Sequence, residues 1–239
     1  MKKALYVEGV TEAGFVYRLI GEHYGWDWTL FRLECLNLDP KEAANDLQNY
    51  GDEKAPDYFL IYDSCSDQAV SSDIKNRIVS HQKAGFDKVI GLRDVYSENF
   101  KALYPQQFNT QSIASFIKDM RDTLAEFDPN GVTRLCFAIM EIEAWLLAIE
   151  DVFHRIDSRI DGQWLLTKVN VDVSKDPEQE YYHPYSRLED VFASISKPYG
   201  KHWEAIKDVI FKLVQDDFDT LYHSGKCASF REFYDTVFY

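Results

Sequence analysis

Ala4-Leu5-Tyr6-Val7-Glu8-Gly9-Val10-Thr11-Glu12 decides how the rest of the chain is read. A β-rich apolar run ends on a carboxylate, turns on glycine and enters a helical pattern that starts with a second carboxylate. Phe15, Val16, Leu19, Ile20, His23 and Tyr24 then mark one helix face. A strand ending this way presents acid groups at the carboxyl edge of a sheet, where open α/β folds take their ligands.

Four more strand-like runs follow, at 31–36, 58–62, 88–93 and 133–139, with helical patterns near 40–50, 68–84, 111–126 and 141–153. This alternation predicts an α/β domain over residues 1–154, a mostly parallel sheet flanked by helices. Asp39-Pro40 reads as a helix start, with Asp as cap and Pro at the first helical position. Residues 155–239 read as a helical C-terminal extension packed on the sheet domain. Within it, 170–187 is polar and tyrosine-rich with two prolines and reads as a long loop. Two helices follow. Trp203, Ile206, Val209, Ile210, Leu213 and Val214 form one apolar stripe, and Phe230, Phe233, Tyr234 and Val237 another.

The 239 residues carry a net charge of −14, which argues against a protein that coats nucleic acid through clustered Lys and Arg. A nuclease survives that test, because metal ions neutralise an acidic site and a basic partner can supply a groove. No apolar run approaches the ~20 residues that span a bilayer. Met1-Lys2-Lys3 leads straight into a strand with no signal-peptide core. The expectation is a cytoplasmic protein without membrane association. Cys35, Cys65, Cys136 and Cys227 are scattered and read as buried or incidental thiols rather than a zinc site or disulfide framework.

Acids cluster after the predicted strands: Glu8 with Glu12, Asp63 with Asp67, Asp94 with Glu98, and Glu141 with Glu143. All strand ends of a parallel sheet share one edge, so these groups can converge. Converging carboxylates repel and are costly to desolvate, and a cation is their natural partner. Oxygen-only ligands suit Mg²⁺ or Mn²⁺, and two such ions ~3.5–4 Å apart clamp a phosphodiester's attacking and leaving oxygens.

Each acid also has a plainer reading. Glu12 fits the first turn of a helix capped by Thr11, and Asp63 and Asp94 suit turns or caps. Asp67 and Glu98 read as solvated. Glu141 and Glu143 point roughly 200° apart on a helix, so both face one site only if Glu141 precedes it. Arg93 reads either as a group that steadies a phosphate or as a surface residue.

Other chemistries find little support. The six histidines lack zinc-ligand spacing, and His23 reads as a core residue on its helix stripe. Ser64-Cys65-Ser66 follows a strand without forming a nucleophile elbow, which leaves Cys65 a poor nucleophile candidate. No phosphate-binding G-x-x-x-x-G-K-[ST] loop occurs, so the chain does not read as an ATPase itself.

Val7-Glu8-Gly9-Val10-Thr11-Glu12 resembles the V-E-G-x-T-E opening of Toprim-like domains. It is most similar to those of the overcoming-lysogenization-defect nucleases and of a group of small bacterial Toprim-like proteins. Leu60-Ile61-Tyr62-Asp63, Gly91-Leu92-Arg93-Asp94, Glu141-Ile142-Glu143-Ala144-Trp145 and Ser229-Phe230-Arg231-Glu232-Phe233 resemble further motifs of that group, in order.

The resemblance implies a Toprim fold holding Mg²⁺ through Glu8, Glu12, Asp63 and Asp94, with Glu141 or Glu143 supporting. It also implies action on nucleic acid (DNA or RNA), and anti-phage defence beside an ABC- or AAA-type ATPase partner. It leaves room for a homo-oligomer. The chain departs from the common D-x-D pattern: Asp63-Ser64-Cys65 and Arg93-Asp94-Val95 each keep one aspartate. Two expectations follow, a Mg²⁺-dependent Toprim-like phosphodiesterase or a non-catalytic module that docks on the ATPase.

Overall fold

In a computed structural model describing residues 1–39, 43–104, 109–128 and 130–239, every strand expected from the apolar runs forms. They are β1 (Lys2–Val7), β2 (Phe31–Leu36), β3 (Asp57–Asp63), β4 (Lys88–Asp94) and β5 (Thr133–Ala138). They pair in parallel in the order β2-β3-β1-β4-β5, so the acid-tipped β1 lies at the centre. The protein is an α/β fold, a parallel sheet flanked by helices with further helices at the C-terminus.

Side chains alternate across the pleat. Leu5, Val7, Ile61, Ile90 and Leu92 join the core on one face, and Ala4, Tyr6, Leu60 and Val89 the core on the other. The first face is covered by α1 (Val10–His23) and by C-terminal helices; the second by α2 (Asp67–Lys83) and α4 (Thr110–Ala125). The short α3 (Glu98–Leu103) precedes α4. Each Leu, Ile, Val or Phe buried here contributes about 1.5–3 kcal/mol.

The C-terminal region runs through α5 (Glu143–Leu147), α6 (Glu150–Ile156), α7 (Gly162–Val169), α8 (Pro177–Glu180), α9 (Pro184–Ser194), α10 (Trp203–Ile210), α11 (Gln215–His223) and α12 (Ala228–Phe238). Its Trp203, Phe218, Phe230 and Phe233 share one continuous core with sheet residues. Trp203 packs closely against α1. A methyl added at Gly14 would stand 2.6 Å from the indole Cζ3, closer than real contacts allow. Trp203 Nε1 also donates to Asp46 Oδ2 at 2.5 Å.

Several expectations need correction. The helix expected over 141–153 is two, α5 and α6. Residues 170–187 hold α8 and the start of α9, because Asp176 caps α8 and Pro177 and Pro184 occupy first helical positions. The 203–214 stripe is broken: α10 ends at Ile210, and Val214 stands at the start of α11. Of the helix expected near 40–50, a 3₁₀ turn at Ala43–Asn45 is seen, and the Asp39-Pro40 start falls partly outside the described residues. No described helix is long and apolar enough to cross a membrane. All four cysteines are free thiols, Cys136 and Cys227 buried and Cys65 exposed.

Candidate functional site

Strand order sets where the acids meet. The chain leaves β1 through α1 toward β2 on one side, and leaves β4 through α3 and α4 toward β5 on the other. Neighbouring parallel strands whose connections part in this way open a crevice at their carboxyl ends. Glu8 follows β1 and Asp94 ends β4, on the two lips of that crevice. The Asp94 backbone N–H donates to Glu8 Oε2 at 3.1 Å.

Three more carboxyls close in. Gly9, not Thr11, stands at the N-cap of α1, and Glu12 in the first turn is buried beneath the crevice. Gly9 is extended (φ −168°), a backbone any residue adopts, and a methyl there would make an ordinary contact, 3.4 Å from Glu12 Oε2. Beyond β5 the chain turns on Met140, in the left-handed region at φ 64°, where Tyr96 N–H donates to its carbonyl at 2.7 Å. That turn places Glu141 ahead of α5 and Glu143 at its first residue, which meets the condition for both to serve one site. Asp94 Oδ1 accepts the Ile142 N–H at 3.0 Å and ties this corner to β4.

Glu8, Glu12, Asp94 and Glu143 line a cavity of about 210 Å³ with Cys65, Ser66 and Lys201. Burial, then repulsion from Glu8 and Glu143, raises Glu12 to about 8. Burial and Glu141 raise Glu143 to about 7, although Tyr199 donates to its Oε1 at 3.1 Å. Glu141 is raised by burial to about 6; the Tyr185 N–H at 2.8 Å opposes the shift, and His183 Nδ1 lies 3.0 Å from the same oxygen. Burial and the surrounding acids carry Asp94 well above its ordinary range, and burial raises Glu8. Burial alone would lower the Lys201 ammonium, yet Glu143, Glu141, Asp94 and Glu12 hold it above its ordinary value.

Two expected site residues stand elsewhere. Asp63 ends β3, on the far side of β1 from the crevice, and its Oδ1 accepts the Cys65 N–H at 2.7 Å. Arg93 is neither a surface residue nor at the cavity. Next to Asp94 on β4 it must face the opposite side of the sheet, where it is buried with Asp67 Oδ2 at 3.5 Å and Met120 Sδ at 4.0 Å. Its Nε and Nη2 have no hydrogen-bond partner among the described residues. Asp67, expected to be solvated, is mostly covered, whereas Glu98 is exposed as expected. His23 is half-buried against Tyr234, with Nδ1 2.9 Å from its hydroxyl.

The all-oxygen donor set and the mutual repulsion suit a hard divalent cation. Among the described residues, no three His, Cys, Asp or Glu side chains are gathered tightly enough to hold an ion as they stand. The acids therefore fit a cation by chemistry and burial, not by preformed ligand geometry. Lys201, Tyr199, His183 and Tyr185 were not anticipated at the site. They come from the C-terminal region, and the tyrosine-rich run near 181–186 was their only trace in the sequence.

No protein-family profile matches the chain, and no solved structure matches it significantly. Over 67 residues it is 31% identical to the ammonium transporter Rh type C of Rattus norvegicus. That stretch is 28% of this chain and spans only 14% of the transporter.

Proposed function

We propose that the chain is a Mg²⁺- or Mn²⁺-dependent phosphodiesterase that cleaves nucleic acid at the β1–β4 crevice. One observation carries the reading: Glu8, Glu12, Asp94, Glu141 and Glu143 converge there from the ends of β1, β4 and β5, largely buried and near Lys201. Glu8, Asp94 and Glu12 would hold the cation. Bound Mg²⁺ or Mn²⁺ supplies positive charge and Lewis acidity at the phosphate. Glu143 and Glu141, raised to about 7 and about 6, take or give protons near neutral pH. Lys201 offers an ammonium to a non-bridging phosphate oxygen. A role in bacterial anti-phage defence beside an ABC- or AAA-type ATPase follows from the sequence resemblance alone.

The test incubates the protein with supercoiled plasmid, single-stranded DNA and RNA, with Mg²⁺ or Mn²⁺, beside Glu8→Ala. Metal-dependent cleavage lost in the variant is expected. No cleavage by the wild type, or equal cleavage by Glu8→Ala, sinks the reading. A non-catalytic module docking on an ATPase is the second reading, favoured by the lack of preformed ligand geometry and the −14 charge. It predicts altered ATP hydrolysis by the partner with no cleavage.

A further inference from the structure

A second cavity, of about 420 Å³, adjoins the acidic one, and both are lined by Glu8 and Lys201. Its character is different. Tyr96, His183 and Tyr185 form an aromatic row, with centroids 4.6 Å apart from Tyr96 to His183 and 6.0 Å from His183 to Tyr185. Both tyrosines are only partly buried. Each carries a lysine over its face: Lys101 Nζ is 5.0 Å from the Tyr96 centroid, and Lys201 Nζ 5.3 Å from that of Tyr185.

Each of these rings meets an ammonium group at a cavity wall, Lys101 also pairing with Glu98, in a chain whose overall charge is strongly negative. Flexible lysine stems can swing aside, leaving the ring free and the ammonium beside whatever has stacked on it. A flat π-face attached to a phosphate satisfies both partners at once.

The geometry points to a stacking platform for an unpaired nucleobase, with Tyr96 and Tyr185 taking the base and Lys101 and Lys201 the adjoining phosphates. The acidic crevice then receives single-stranded nucleic acid, with the scissile phosphate led toward Glu8. A base inside a duplex is stacked on both faces and cannot use these rings. This inference deepens the phosphodiesterase reading and rests on it for the direction of the strand.

The test is fluorescence anisotropy in EDTA with a labelled oligothymidylate of roughly ten nucleotides, within the usual span of single-strand sites. An abasic strand of equal length and a blunt duplex are measured beside it. Tyr96→Ala and Tyr185→Ala are each expected to weaken single-strand binding by about 5- to 150-fold, the range of one lost base–aromatic stack. Tyr185→Phe keeps the ring and should retain binding. The wild type should prefer the base-bearing strand to both other ligands, a comparison that no folding defect can imitate.

Equal binding of the abasic strand or the duplex overturns the platform, as does wild-type binding in the alanine variants, loss of binding in Tyr185→Phe, or failure of the wild type to bind. The two readings fail separately. Base-dependent binding without cleavage in Mg²⁺ or Mn²⁺ removes the phosphodiesterase and leaves the platform, whereas cleavage with base-independent binding removes the platform alone.

Discussion

Glu178 and the crevice acids are both buried carboxyls, and the difference between them separates scaffold from site. Glu178 is buried in α8 and is met by several donors. Trp145 Nε1 donates to Oε1 at 2.9 Å, the Ser229 hydroxyl donates to the same oxygen, and the Ser229 N–H reaches Oε2 at 3.3 Å. Burial raises it to about 7 even so. At the crevice, Glu8, Glu12, Asp94, Glu141 and Glu143 face one another and an open cavity. Their largest electrostatic neighbours, after burial, are mostly other acids. A carboxyl that holds the fold together is saturated by the protein. The crevice acids border one another and a cavity instead.

The largest expected break in this contrast is in activity. Glu8→Ala or Asp94→Asn should lower cleavage by at least about 100-fold, the upper end of what even outer-shell partners of a metal cost. Glu178→Ala should instead leave the specific activity of its folded fraction intact. A Glu178 variant as inactive as Glu8→Ala, yet fully folded, would erase the distinction.

Stability should show the opposite order. Glu178→Ala strands the Trp145 N–H and the Ser229 groups in a dry interior, costing about 1–3 kcal/mol in denaturant unfolding. Glu143→Gln removes a repelled charge and should stabilise the cation-free protein by about 1–3 kcal/mol near pH 8. A destabilised Glu143→Gln would mean that its carboxylate is as well satisfied as that of Glu178.

A pH series sharpens the comparison further. Glu12, Glu143 and Glu178 have folded values raised to about 8, 7 and 7, while the same groups ionise near ~4.3 in the unfolded chain. The folded state thus binds more protons than the unfolded one across this window. Their contribution to stability is complete below about pH 4 and is lost as pH rises through about 7–8. Without metal, Tm should fall by several degrees between about pH 6 and pH 8.5, at about 2–4 °C per kcal/mol. Mg²⁺ should recover the crevice share at the upper end and leave the Glu178 share lost. A Tm that Mg²⁺ lifts equally at both ends would break the prediction.

The smallest effect belongs to Cys65. It lines the acidic cavity, but burial and Asp63 push its thiol above the ordinary value, away from the reactive thiolate. Cys65→Ser should change activity and stability by no more than roughly twofold. Alkylation that abolishes cleavage in the wild type and spares Cys65→Ser would show otherwise.

The strands were legible because buried parallel strands write themselves as short apolar runs, and Glu8 was legible because a carboxylate closes one of them. Asp63 was misplaced for a reason no single run reveals. Strand-end reasoning treats all ends alike, while the spatial order β2-β3-β1-β4-β5 puts the crevice on one side of β1 and Asp63 on the other. Arg93 could have been set aside from the sequence, since its neighbour Asp94 had already been given the other face. The prolines at 177 and 184 lie in a stretch whose polarity suggests a loop, although Asp176-Pro177 repeats the Asp-Pro helix-start signal of Asp39-Pro40. Lys201 has no local signature, and His183 and Tyr185 of the aromatic row show only as part of a tyrosine-rich stretch. Lys201, His183 and Tyr185 reach the crevice through the packing of α9 and α10, which depends on contacts far apart in the chain, whereas Tyr96 follows β4 directly.

The contact of Trp203 on Gly14 bears on inheritance. That indole lies two residues beyond Lys201, and the glycine beneath it lies two residues beyond Glu12. The crevice is thereby assembled from residues far apart in the chain, and a fragment cut near residue 154 would carry the acids and Tyr96 without Lys201, His183 or Tyr185. Such a site does not travel as a cassette: a graft that moves the sheet alone moves an incomplete one.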